Sequence, residues 1–569
     1  MPTITCQLAD LEALVGAPTP IAGLERRLEL VKGELKSHDA ATGELRIELN
    51  DTNRPDLWSV EGIARQLRVK AAGTPPRYPC FAPREPGAEI VVEPSVAAVR
   101  PFVGGFVAEN LAVSEDLLRS LIETQEKLAD GFGQRRRALA IGIYPAAAIR
   151  FPVSYRAVAP RAVRFVPLGT ERELDLAEIL ASHPKGIAYG PILAGAERYP
   201  LLVDAAGAVL SFPPIINSRA VGEVRPGDRR LFVEATGTDL PTVLLALNIL
   251  AVNMSDRGAT IVPVAARYPA PGATPLGDRV VVPYPFENRV TVERDAFARL
   301  LGRPFESGEI VTGLGAYGCD AQATGNTLTV STPPYRLDYL HGVDAVEDLA
   351  MSLGYDTLAP EMPTGFTVGS LAPLTALEDR ARERLVGYGF EEVITNVLTN
   401  RGAEAAQVGR PLTGLVEIAN PMSEGYSVLR RSLLPSLLHV EAASAISLYP
   451  HRIFEVGECA VADAQRPEGS HTLSAAAAAI AHAAASFSEL HSYLDRLCFD
   501  LGLAYRLEPA AGPPFIPGRH ARVIAAAGDV AVGEIGEIHP ETLTAWGIRT
   551  PVVAFEIDLG RVLELRRPS

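Results

Sequence analysis

The chain has few cysteines, and they stand alone: Cys6, Cys80, Cys319, Cys459 and Cys498 lie far apart, with no C-x-x-C spacing. Structural zinc and a redox dithiol both call for thiolates close in sequence, so neither is expected. The odd count also suits a reducing compartment better than a disulfide frame. No run of 18 or more apolar residues occurs, which argues against a membrane-spanning helix. The alanine-rich residues 474–485 come nearest, but His482 and the small side chains make them a core strand or helix. The opening MPTITCQLADLEALVG lacks a basic segment followed by an apolar one; no signal peptide is expected, and the protein is read as cytoplasmic. Net positive charge is missing too. At −15 the chain is not one that coats nucleic acid electrostatically, although a local basic face is compatible with RNA. Neither a membrane nor DNA is an expected partner.

What is present is length and pattern. The 569 residues exceed one core and predict about three to five domains, and 47% apolar residues permit a large interior. Residues 212–239, FPPIINSRAVGEVRPGDRRLFVEATGTD, look built to hold a small polar ligand. An apolar run broken by two prolines leads through a turn with Gly222, Pro226 and Gly227 into a strand that alternates large apolar and small polar residues. Glu234 is the one carboxylate of that strand; Thr236 faces the same side, and Asn217 ends the first strand where it can face the same hollow. By pattern alone a lone Glu in a strand most often meets solvent, and Asn-Ser before a turn is ordinary turn chemistry.

Earlier in the chain, NRPDLWSVEGIAR reads as a tight turn into an amphipathic helix capped by Ser59. Residues 77–92 are proline-rich and read as a linker. Arg135, Arg136 and Arg137 follow a Ser114-capped helix, and are equally a solvated face or a basic patch able to hold an RNA terminus. In TPPYRLDYLHGVDAVEDLAMSLGYD a helix from about Val343 puts Asp344, Glu347 and Asp348 on one face, with Asp338 just before. The helix dipole favours acidic residues at such a start, but four converging carboxylates need a cation or arginines to answer them. The last third alternates helices with strands such as HRIFEVGECAV, predicting an antiparallel sheet flanked by helices.

FPPIINS followed by LFVEATGTD is similar, nearly word for word, to the editing module of the phenylalanyl-tRNA synthetase beta-subunit family of the archaeal and eukaryotic type. NRPDLWSVEGIAR resembles the first domain of that family and the acidic segment its fifth; the similarity runs from Met1 to about Leu559. It implies a multidomain α+β chain: an N-terminal B1-like domain at 1–76, a B3/B4-like editing domain at 92–266, a B5-like domain at 279–360, and an inactive class II synthetase-like antiparallel sheet core at 369–569. It implies a ligase beta subunit that supports ATP-dependent charging of tRNA(Phe), with ATP bound on a separate alpha subunit in a heterotetramer of two alpha and two beta chains. It further implies hydrolysis of mischarged Tyr-tRNA(Phe), with Leu202, Ser211, Asn217, Glu234 and Thr236 in the editing pocket, and Mg²⁺ held by Asp338, Asp344, Glu347 and Asp348. The family differs at Tyr144 and Pro145, where it has His and Asp, and at Ala129, where it has His; editing is weakened if either His positions substrate.

The chemistry of such a pocket can be stated from first principles. An apolar synthetic site rejects an analogue with one extra hydroxyl only by about 10²-fold, whereas a second site that hydrogen-bonds the phenol discriminates by about 10⁴ to 10⁵. Glu234 is the expected acceptor. No Ser-His-Asp or Cys-His set lies near Asn217, so the nucleophile is a positioned water. In the last third, HRIFEVGE displaces Arg452 from where a class II site grips ATP, and no second arginine is evident, so that region is expected to brace a partner. The alternatives are a free-standing paralogue that deacylates tRNA and a non-catalytic binding protein.

Overall fold

The computed structural model describes residues 2–50, 53–221 and 223–566; Gly222 of the expected turn lies outside them. The chain forms two compact units, Met1–Met362 and Pro363–Ser569.

The first unit opens with a three-stranded antiparallel sheet of β1 (Thr3–Gln7), β2 (Gly33–His38) and β3 (Glu44–Leu49), in the order β1-β3-β2. Alternation in β3 buries Leu45, Ile47 and Leu49. Helices α1 (Leu8–Val15), α2 (Ile21–Leu28) and α3 (Val60–Ala72) belong to the same region. Ser59 caps α3 by accepting from the Gly62 amide at 3.1 Å, and Gly73 ends it with φ 68°. Gly62 admits no side chain, since a Cβ there would overlap the Asp56 carbonyl oxygen. The NRPD turn proves to be a buried ion pair: Arg54 Nε and Nη2 each donate to the Asp56 carboxylate at 2.8 Å.

Next comes a ten-stranded sheet. Its strands are β4 (Ala88–Val92), β5 (Phe102–Glu109), β6 (Leu139–Pro145), β7 (Val153–Val158), β10 (Tyr199–Val203), β11 (Val209–Phe212), β12 (Ile216–Asn217), β13 (Leu231–Gly237), β14 (Thr260–Arg267) and β15 (Arg279–Val282). A separate hairpin supplies β8 (Arg164–Phe165) and β9 (Leu174–Asp175). The order is β12-β11-β10-β7-β4-β14-β5-β13-β6, with β15 on β14. Residues 77–92 are therefore not a free linker: they end in β4, which pairs in parallel with both β14 and β7. Likewise β15 carries this sheet past residue 266 to Val282. Helix α4 (Glu115–Lys127) runs on into a π turn at Leu128–Phe132, and the short helices α5 (Leu176–Ser182) and α6 (Pro184–Tyr189) follow β9.

Helix α7 (Leu240–Asp256) is buried almost throughout, because it packs against β5 and β13 and also against α3. At its end Asp256 accepts from Arg65 Nε of α3 at 2.9 Å and from the Tyr78 hydroxyl at 2.8 Å. The unit closes with an antiparallel sheet of β16 (Asn288–Glu293), β17 (Asp320–Thr324) and β18 (Thr327–Thr332), with α8 (Arg294–Leu301), α9 (Ser307–Gly315) and α10 (Gly342–Leu353).

The second unit is built on a seven-stranded sheet in the order Glu391–Glu392, His451–Ala462, Ser470–Ala481, Val552–Asp558, Val530–Ile538, Phe515–Ala525, Tyr505–Pro509. The first pair is parallel and the rest antiparallel. The alanine-rich segment is a strand, and its small side chains let helices Pro373–Gly387 and Phe487–Asp500 approach one face. No helix among the described residues is long and apolar enough to cross a membrane.

Candidate functional site

Glu234 lies mid-way along β13, which is hydrogen-bonded on both sides: it faces Gly105 of β5 and Gly142 of β6. The strand is central, so the carboxylate is 2% exposed. Tyr144 donates its hydroxyl to Glu234 Oε1 at 2.9 Å and lies 3.4 Å from Asn217 Oδ1. Glu234 Oε2 and Ser211 Oγ are both buried without a hydrogen-bond partner. Both residues line a cavity of about 170 Å³, together with Asn217, Thr236, Arg136 and the Phe212–Ile216 loop. Such a volume suits one side chain, being below the roughly 300 Å³ of a site for a drug-sized ligand. Two orphaned buried polar atoms in one hollow mark a place for a ligand's own polar group.

Burial pushes the Glu234 carboxyl up to about 7, against the opposing pull of the Tyr144 hydroxyl, Arg100 and Ser211. Burial, reinforced by the Glu234 charge, holds the Tyr144 phenol far above its ordinary value, so it stays a neutral donor. Arg100, drawn down to about 10 by burial, donates to Thr236 Oγ1 at 2.9 Å and to the Thr236 and Arg137 carbonyls at 2.6 and 2.9 Å. The structure thus brings Ser211, Asn217, Glu234 and Thr236 together. Leu202 is not with them: it pairs with Ser211 in the β10–β11 register, but its side chain is buried in the core. Sequence alone also gave no role to Arg100 or to Lys185, another residue of the cavity wall. Their only signal was charge inside otherwise apolar or loop segments.

The three arginines part company. Gln134, Arg135 and Arg136 all take left-handed backbone angles (φ 53°, 54° and 65°), a strained run for non-glycine residues. The turn aims Arg136 at the cavity, where Nη1 donates to the Pro214 and Ile215 carbonyls at 3.3 and 3.1 Å and the guanidinium stacks 4.2 Å over Tyr189. Arg136 is wall, while Arg135 and Arg137 are exposed.

In this structure the four acidic residues are not gathered around one point. Arg336, 1% exposed, grips both Asp338 oxygens at 3.0 and 2.7 Å and reaches Asp348 Oδ2 at 2.9 Å. Asp348 also accepts from the Tyr339 hydroxyl at 2.6 Å. Asp344 accepts from the Leu340 and His341 amides at 2.7 and 2.8 Å as part of the α10 cap, and Glu347 pairs with Lys32 at 2.7 Å. A guanidinium thus answers Asp338 and Asp348, and the other two carboxylates have partners elsewhere. Among the described residues no group of three or more His, Cys, Asp or Glu side chains is placed to hold a metal. The guanidinium depresses the Asp338 carboxyl to about 2 despite the opposing, larger effect of burial; for Asp348 burial wins and the shift is upward.

In the second unit, Arg452 shares a sheet face with Ile480, in the helix-covered core, and leans towards Glu489 and Tyr493. A cavity of about 370 Å³ opens elsewhere on that sheet, lined by Arg410, Arg431, Arg522, Glu534 and Glu556. Its charges are answered largely from within: Arg410 pairs with Glu534, Arg431 donates to the Glu404 and Thr413 carbonyls, and Glu556 accepts from Ser432 and the Leu433 amide.

Two family models match the chain: the phenylalanyl tRNA synthetase beta chain CLM domain over residues 358–559 and the tRNA synthetase B5 domain over residues 290–355. The phenylalanine–tRNA ligase beta subunit of Treponema pallidum is 41% identical over 527 residues, covering 91% of this chain and 87% of that protein. Its counterpart from Borrelia hermsii is 35% identical over 568 residues, covering 99% and 100%. Among solved structures, an N-terminal fragment of the phenylalanyl-tRNA synthetase beta subunit from Pyrococcus horikoshii is similar over 62% of this chain and 100% of that one, at 33% identity and a TM-score of 0.58.

Proposed function

The chain belongs to the phenylalanine–tRNA ligase beta-subunit family, and from that premise we propose that its Glu234 cavity hydrolyses tyrosine misattached to tRNA(Phe). The observation that carries this is the pair of unpartnered buried atoms, Glu234 Oε2 and Ser211 Oγ. A tyrosine phenol donates to Oε2. Phenylalanine in the same place leaves that oxygen buried and unpaired, a cost of about 1–3 kcal/mol, or roughly ten- to a hundredfold. With no nucleophilic triad at hand, a water attacks the ester carbonyl, the bond to the ribose oxygen breaks, and the proton goes to that oxygen. The polar wall of Asn217, Thr236 and backbone groups orients the water.

Phenylalanine activation, with its ATP, belongs on a separate alpha subunit, with two alpha and two beta chains assembled. Two features of the second unit support this: Arg410 and Arg431 of its cavity are engaged by the chain itself, and Ile394, Met422, Ile446 and Leu448 are almost fully exposed, as a surface that meets a partner would be. The similarity to the whole of the Pyrococcus fragment, over 62% of this chain, supports the archaeal and eukaryotic type, even though the spirochaete relatives are bacterial. In the assembled ligase, Glu234→Ala should lower Tyr-tRNA(Phe) hydrolysis by at least about tenfold while phenylalanine charging is unchanged. Equal loss of both activities contradicts the assignment.

A further inference from the structure

We propose that Tyr144 is the positioning residue that makes this hollow selective: by holding Glu234 Oε1 it leaves Oε2 as the one acceptor a ligand's para-hydroxyl can reach. The inference rests on the editing reading above and assigns a role to a side chain that does not itself line the cavity.

The register of β6 against β13 sets Tyr144 opposite Phe232 and Gly142 opposite Glu234. The tyrosine therefore stands two residues along the neighbouring strand on the same face, and its ring lies back across Gly142 to reach the carboxylate. Glycine is required there, because a Cβ at 142 would overlap both Tyr144 Oη and Glu234 Oε1. Phe232 stacks on the Tyr144 ring at 6.2 Å between centroids and is itself met edge-on by Phe151 at 5.2 Å. Tyr144 has no exposed surface, so it cannot swing out to meet a substrate. A carboxylate free to rotate accepts from a ligand at several depths; one pinned by a buried phenol accepts at a single depth and angle, which restricts the site to a hydroxyl at the far end of the ring.

The groups facing Glu234 are Tyr144 from β6, Tyr155 from β7, Ser211 from β11 and Arg100 from the turn before β5, with Arg136 and Lys185 on the cavity wall. Arg100 is occupied by Thr236 and two carbonyls, which leaves the Tyr144 hydroxyl as the donor that holds Oε1, with the Ser211 hydroxyl beside the carboxylate.

The test compares the full-length chain with Tyr144→Phe, assaying hydrolysis of tyrosyl- and phenylalanyl-tRNA(Phe) across pH. The wild type should prefer the tyrosyl ester; in the variant that preference should fall about tenfold through slower tyrosyl hydrolysis. The acid limb of tyrosyl hydrolysis should also move to higher pH, because the lost donor no longer favours the ionised carboxylate. Gly142→Ala, which wedges the pair apart, should act in the same direction. A Tyr144→Phe chain that keeps the wild-type preference and acid limb overturns the assignment, as does an equal fall for both esters with the limb unmoved. A wild type that hydrolyses neither ester removes the editing reading and this inference together; a wild type that hydrolyses the tyrosyl ester alongside an indistinguishable variant removes this inference alone.

Discussion

Glu234 is costly to keep where it is. Its carboxyl rises from an ordinary 4.5 to about 7 in the folded chain, so folding is penalised wherever the unfolded carboxyl is ionised and the folded one resists ionising. The penalty is absent below pH 4.5, grows between 4.5 and 7, and is complete above 7, where it amounts to roughly 3 kcal/mol. Glu234→Gln should accordingly melt at a higher temperature than the wild type above pH 7, with the gap closing as the pH falls below 4.5. A gap that does not vary with pH would show that the carboxyl is not held in its neutral form. The chain retains a destabilising group here because the same desolvation leaves an acceptor that rewards only a ligand bearing a hydroxyl. That Glu234 is special was legible in LFVEATGTD, a lone carboxylate among apolar residues. Tyr144 was legible only as a departure from the family, because its partner lies 90 residues away and depends on strand register.

Among the elements, α10 and the loop before it show how a pattern read correctly leaves open what answers its charge. The spacing of Asp344, Glu347 and Asp348 was right, and so was the demand for positive charge. What spacing does not reveal is that Arg336 comes from the same loop as Asp338 and is itself buried between two carboxylates. Removing one member of such a set strands charge in the interior, so Arg336→Met should cost about 3–5 kcal/mol, read as a fall in the unfolding midpoint of the first unit. Chelators and added Mg²⁺ should leave the wild-type midpoint unchanged; a rise with Mg²⁺ would restore a metal to the acidic helix. The acid dependence has the opposite sign to that of Glu234. Asp338, lowered from 3.8 to about 2, contributes stability that is present above pH 3.8 and lost as the pH falls through 2.

For the molecule as a whole, the expected division of labour is open to a direct measurement. The isolated chain, given ATP and phenylalanine, should support no phenylalanine-dependent pyrophosphate exchange, and the chain drawn from its own cells should bring with it a class II partner that restores the exchange. Adenylate made by the isolated chain would overturn the assignment of activation to an alpha subunit. Local pattern by itself determined the helices with their serine caps, the alternating strands, the antiparallel sheet of the last third and the place of Glu234, because capping and periodicity act over a few residues. It misjudged residues 77–92, whose prolines conceal a strand in mid-sheet. Only tertiary structure decided which carboxylates meet arginine, which of three arginines reaches the cavity, and which oxygen of Glu234 is left unpartnered. Each depends on strand register and on burial between segments distant in sequence, and long-range packing leaves no mark in the spacing of neighbouring residues.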